Sequence, residues 1–179
     1  MKKLILTVAV VAAYVSAFGQ GQVVFNNRIT GSVDARATFK GGPNDGQGVG
    51  AGYTAQLFGG PAGTPLSGLT ALTPTTTFRT SSAAAQGYVN GVVVTIPGVA
   101  EGAQAALVMR VYPTGGSFTS AGSIDMGESN LITIATGGGT LPPTNLAGLN
   151  AFTVLIPEPS SIALAILGGA SLLLLRRRK

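Results

Sequence analysis

The sequence predicts an all-β fold: a single β-sandwich of the jelly-roll or Ig-like kind, flanked by an N-terminal signal helix and a C-terminal transmembrane helix. Three observations carry that expectation. Between residues 20 and 156 the apolar residues recur with a period of two and never with a period of 3.6. Short β-prone runs are separated by turn formers, in a chain holding 27 Gly and 10 Pro. The two ends are uncharged apolar runs flanked by Lys and Arg.

Taken in order, Lys2-Lys3, the apolar run Leu4–Val15 and the small residues that follow have the three parts of a secretory signal peptide, residues 1–19. Signal peptidase reads small side chains, and Ala17 and Gly19 both qualify as the residue before the cut, with Gly19 slightly preferred. Gln22–Asn27 is a short β-prone run closed by two turn formers. Gly41–Gly48 reads as a loop. Its Asn44-Asp45-Gly46 core offers one carboxylate and one amide where calcium wants six to eight oxygens, so a plain turn is expected.

Tyr53–Phe58 alternates, with Tyr53, Ala55 and Leu57 on one face and Thr54 and Gln56 on the other. Gly59–Pro65 is expected to turn the chain, and the Thr-rich Thr75–Arg79 to form a further strand. Asn90-Gly91 is expected to make a hairpin turn or a bulge ahead of a strand Val92–Ile96, which Pro97-Gly98 should stop. Ala103–Tyr112 has the clearest alternation: Ala105, Leu107, Met109 and Val111 point one way. It is the predicted central strand. Asn130–Ala135 and Ala151–Ile156 complete the set. Nothing repeats at a fixed period, which disfavours a solenoid or propeller.

The formal charge of +5 sits at the ends. In the middle, Arg28, Arg36, Lys40, Arg79 and Arg110 are balanced by Asp34, Asp45, Glu101, Asp125 and Glu128, leaving no basic patch to grip phosphates. No nucleic-acid partner is expected. With neither Cys nor His, the chain lacks the usual base of a nucleophilic triad and the usual ligands of a transition metal. Neither a metal nor a cofactor is expected. A carboxylate pair drawn from Glu101, Asp125 and Glu128 is the remaining enzymatic option, and their Gly-rich flanks read as solvated loops rather than a cleft. A non-enzymatic role is therefore expected. Sugar-binding sandwiches stack ligands on exposed aromatics, which makes Tyr53, Phe58, Tyr88, Tyr112 and Phe118 candidates. Tyr88, Tyr112 and Phe118 are preferred as ligand contacts, with Phe118 foremost because Gly115-Gly116-Ser117 puts it on a loop.

The last stretch, 157–179, is tripartite: Pro157-Glu158-Pro159, the uncharged run Ile162–Leu175, and Arg176-Arg177-Arg178-Lys179. Both prolines block upstream helix. At 1.5 Å per residue a helix over Ile162–Leu175 spans only about 21 Å of a hydrocarbon core about 30 Å thick. Including Ser160 and Ser161 and letting the terminal cations snorkel makes residues 160–175 a membrane segment, with its basic end cytoplasmic. This tail resembles the PEP-CTERM sorting signal. The resemblance implies recognition by the membrane-embedded transpeptidase exosortase through Pro157, Glu158 and Pro159, with Arg176, Arg177 and Arg178 as the basic terminus, and cutting near the Pro-Glu-Pro. Such tails belong to bacteria that export polysaccharide. The expected partners are thus signal peptidase, exosortase and the membrane, with exopolysaccharide as a further partner class. The expected location is the cell envelope or extracellular space, and the expected role structural or adhesive. The alternative is a carbohydrate-binding module associated with exported polysaccharide.

Overall fold

The computed structural model describes residues 19–157. Within them the chain is all-β and multi-sheet, with thirteen strands in three sheets and a single 3-10 turn at Leu66–Gly68. No helix among the described residues is long and apolar enough to cross a membrane. The signal segment up to Phe18, with Ala17, and the tail residues Glu158, Pro159, 160–175 and Arg176–Arg178 lie outside the described residues.

The strands are β1 (Gln20–Phe25), β2 (Arg28–Ile29), β3 (Val33–Asp34), β4 (Ala37–Lys40), β5 (Tyr53–Pro61), β6 (Thr70–Ala71) and β7 (Thr76–Thr77). They continue with β8 (Val92–Ala100), β9 (Gln104–Pro113), β10 (Gly127–Glu128), β11 (Ile132–Ala135), β12 (Thr144–Asn145) and β13 (Phe152–Leu155). The large sheet runs β4-β13-β10-β9-β5-β6, with β11 also on β9 and β7 also on β5; a three-stranded sheet runs β12-β1-β8; β2 and β3 pair alone.

The centre is the antiparallel pair of β5 and β9, in unbroken register from Tyr53 opposite Pro113 to Pro61 opposite Ala105. The alternation expected in β9 holds: Ala105, Leu107, Met109 and Val111 are wholly buried on one face. Val23, Phe25, Val94 and Ile96 from the three-stranded sheet join the same core. Each such side chain contributes about 1.5–3 kcal/mol by leaving water. On the other face, Ala106 and Val108 are also covered, in a second cluster with Leu69 and Phe58. The excursion between β5 and β6 folds back over that face, so β9 is buried on both sides.

Four expectations are corrected. Gly59-Gly60 does not turn the chain, and β5 runs on to Pro61. These glycines serve close packing: a Cβ on Gly59 would lie 2.6 Å from Leu107 Cδ2 and 2.9 Å from Leu72 Cδ1. Pro97-Gly98 does not end β8, which continues to Ala100 after a register shift opposite Gln20 and Gly21. The bulge absorbs the proline, whose missing N–H costs the ladder nothing there. Thr75–Arg79 narrows to Thr76–Thr77 plus a bridge from Phe78 to Val89. Asn90-Gly91 carries the chain from that bridge into β8 rather than reversing it. Two strands also arise that no local pattern announces: β4 pairs in parallel with β13, and β12 in parallel with β1.

Candidate functional site

Phe118 is half-buried rather than projecting freely from its loop. The guanidinium of Arg110, on the outer side of β9, lies 4.3 Å from the Phe58 ring centroid and 4.6 Å from that of Phe118. It therefore sits in the angle between two aromatic rings that are tilted 57° to each other with centroids 6.2 Å apart. Its Nε donates to Glu128 Oε2 at 2.6 Å and its Nη2 to the Leu66 carbonyl at 3.3 Å. One cation thus pins the 3-10 turn and the Phe118 loop to the sheet, and the Phe118 ring is engaged by Arg110 rather than standing free.

The two other preferred contacts are inside. Tyr88 is 6% exposed and Tyr112 7% exposed. The Tyr88 hydroxyl donates to Asp34 Oδ1 at 2.7 Å while Arg28 covers its ring at 4.6 Å. That hydrogen bond, with burial next, raises the Tyr88 phenol above its ordinary range, against the opposing pull of Arg28 and Arg36. The Tyr112 hydroxyl donates to Gln56 Oε1 at 2.7 Å, and burial raises its phenol too. Neither tyrosine presents a free ring face.

Tyr53 is different. It stands at the start of β5, half-buried, its ring edge-on to Phe39 with centroids 5.3 Å apart and its hydroxyl 3.2 Å from Asp125 Oδ1. Burial first, then the Asp125 charge and the hydrogen bond to it, push the phenol up to about 12. Two hollows meet at this ring and share Ala51 and Tyr53. One, of about 700 Å³, is lined by Thr77, Arg79, Thr80, Ser81, Asn90 and Thr114 among others. The second, of about 420 Å³, is lined by Phe39, Asn44, Gln47, Gln86 and Asp125. A third, of about 440 Å³, shares Ile156 with the second and reaches Lys40, Ile124 and Pro157. The first two form a furrow in which hydroxyls and amides stand beside Tyr53, Phe39 and Phe78, chemistry suited to neutral polyols by hydrogen bonding and ring stacking, whereas the third is lined mainly by aliphatic side chains.

Sequence reasoning included Tyr53 among the aromatics but missed its partner. Asp125 has φ of 60°, the only positive value at a non-glycine residue among the described ones. Asp tolerates that conformation better than most residues, and Ser123-Ile124-Asp125 within a glycine-flanked loop was the available signal.

The three candidate acids each hold a different partner. Glu128 pairs with Arg110 and Asp125 with Tyr53. Glu101 Oε1 accepts from the Thr140 hydroxyl at 2.7 Å and from the Thr140 and Leu141 N–H groups, which hold its carboxyl below the usual range. In the Gly41–Gly48 loop, Asp45 Oδ1 accepts from the Gly41 N–H at 2.8 Å, the arrangement of a turn. No group of three or more candidate metal ligands occurs among the described residues.

Both ends of the described fold are tied in. The Gly19 carbonyl accepts from the Glu101 N–H at 2.8 Å, closing the β1–β8 ladder. At the other end the Ile156 N–H donates to the Lys40 carbonyl at 2.9 Å, and Pro157 is exposed. No family model, curated protein or solved structure matches the chain.

Proposed function

We propose that this chain is an exported, non-enzymatic protein of the cell surface or extracellular matrix, with a structural or adhesive role, whose β-sandwich is sorted and cut at its PEP-CTERM-like tail. Signal peptidase acts at the front and exosortase at the back. The observation that supports this reading is where the fold closes. Among the described residues every strand lies between Gln20 and Leu155, the backbone bond nearest Pro157 is made by Ile156, and no buried side-chain polar atom lacks a partner. Severing the chain at Pro157 therefore removes no hydrogen bond of the described fold. Mass spectrometry of the mature envelope protein tests this reading. A C-terminus near Pro157 that Glu158→Ala abolishes is expected, and an intact terminus at Lys179 would leave only an unprocessed anchor.

The furrow at Tyr53 favours a second reading, a carbohydrate-binding module for exported polysaccharide. The side-chain amides of Asn44, Gln47 and Gln86 line the same hollow as the Tyr53 ring. Retention on a neutral polysaccharide gel, lost in Tyr53→Ala but kept in Phe118→Ala, is the outcome this reading expects.

A further inference from the structure

Ile124 is 60% exposed and Leu155 38% exposed, and both line the hollow that ends at Pro157, the last described residue. The other large exposed apolar side chains among the described residues, Val93, Leu131 and Leu141, do not line that hollow. The Ile124 loop is fixed there, since the Asp125 N–H donates to the Leu155 carbonyl at 2.8 Å and the Leu155 N–H to the Met126 carbonyl at 3.2 Å. We propose that this face, with Ile124 and Leu155 at its centre, seats in the interfacial layer of a lipid bilayer.

The chain beyond Pro157 selects that occupant. The uncharged run begins at Ile162, five residues on, a reach of at most about 17 Å even when fully extended. The interfacial layer itself takes about 5–7 Å of that. A tether so short holds the face around Pro157 against the bilayer, and that face carries two unpaired aliphatic side chains. Among the described residues charge neither drives nor blocks the contact. Lys40 borders the hollow and has a stem long enough to keep its ammonium among headgroups, Asp45 is turned onto the Gly41 N–H, and Asp125 is bonded to Tyr53. The contact is therefore apolar and insensitive to salt.

The inference rests on reading Ile162–Leu175 as a membrane segment, and one experiment separates the two. The chain has no Cys, so single-cysteine variants label cleanly. The full chain is reconstituted in phosphatidylcholine vesicles carrying spin-labelled acyl chains, with a fluorophore on Ile124→Cys, Leu155→Cys, Ala165→Cys or Ser67→Cys. Ser67 is exposed in the 3-10 turn that packs on Arg110 of β9, and it does not line the hollow at Pro157. Several-fold stronger quenching at 124 and 155 than at 67, unchanged at high salt, is expected. Quenching at 165 with 124 and 155 no different from 67 overturns the seating and leaves the anchor standing. No quenching at 165 overturns both.

Discussion

Arg110 shows how much one side chain can organise. Its exposure is 12% and that of Glu128 is 13%, so removing either partner strands a poorly hydrated charge. Arg110→Ala should lower the unfolding free energy by about 3 kcal/mol, read from the denaturant midpoint, because the lone Glu128 is left unpaired. Phe118→Ala, which removes one of the two rings against the guanidinium, should cost only about 0.5–1 kcal/mol. Arg110→Lys should fall between them, since an ammonium keeps the ion pair but lacks the planar fork that reaches Glu128 and the Leu66 carbonyl at once while lying against the two rings. Tyr53 supplies a test in pH. Its phenol is raised to about 12 in the folded chain from an ordinary value of 10.0, so folding favours the protonated form. That contribution is whole below pH 10 and is lost as the pH climbs toward 12. In a tyrosinate absorbance titration, Tyr53 should ionise well above an ordinary phenol, and Tyr53→Phe should remove that late step. Both residues were visible in the sequence. Their partners were not, because Phe58, Phe118 and Glu128 reach Arg110 only once β5, β9 and β10 are paired.

Among the elements, β9 was the most legible, because alternation over Ala105–Val111 requires no distant information. β8 was half legible. Its apolar run was plain, but the bulge at Pro97-Gly98 depends on β1, whose register shifts opposite it. The ladder makes a sharp prediction. Gln22 exchanges both backbone bonds with Gly137, so Val23 faces β8 and is paired with Val94. The N–H groups of Val93 and Thr95 then point to the other edge, where no backbone partner occurs among the described residues. Val94→Pro should cost about 3 kcal/mol or more, while Val93→Pro should cost far less. Equal losses by thermal or urea unfolding would mean that the register is wrong. In the core, Leu107→Ala should cost about 2–5 kcal/mol by the same measurement, as expected for a fully buried leucine.

For the whole molecule, the bond from the Glu101 N–H to the Gly19 carbonyl bears on where the mature chain starts. A chain beginning at Phe18 keeps it and one beginning at Gln20 loses it, so the shorter form should be less stable by about 1 kcal/mol in a direct comparison of the two. What the sequence determined by itself was class and outline. Period-two alternation, Gly and Pro punctuation and balanced charge in the middle are local properties, and they specify all-β strands and the runs from which β1, β5, β8, β9, β11 and β13 form. What only the tertiary structure decided was everything that depends on distant pairing. The parallel partners β4 with β13 and β1 with β12, the burial of both faces of β9, the interior fate of Tyr88 and Tyr112, and the meeting of Tyr53 with Asp125 all join residues far apart in the chain. The physical reason is that alternation fixes which side chains share a face, whereas the neighbour that covers the face is chosen by the summed packing of the whole core.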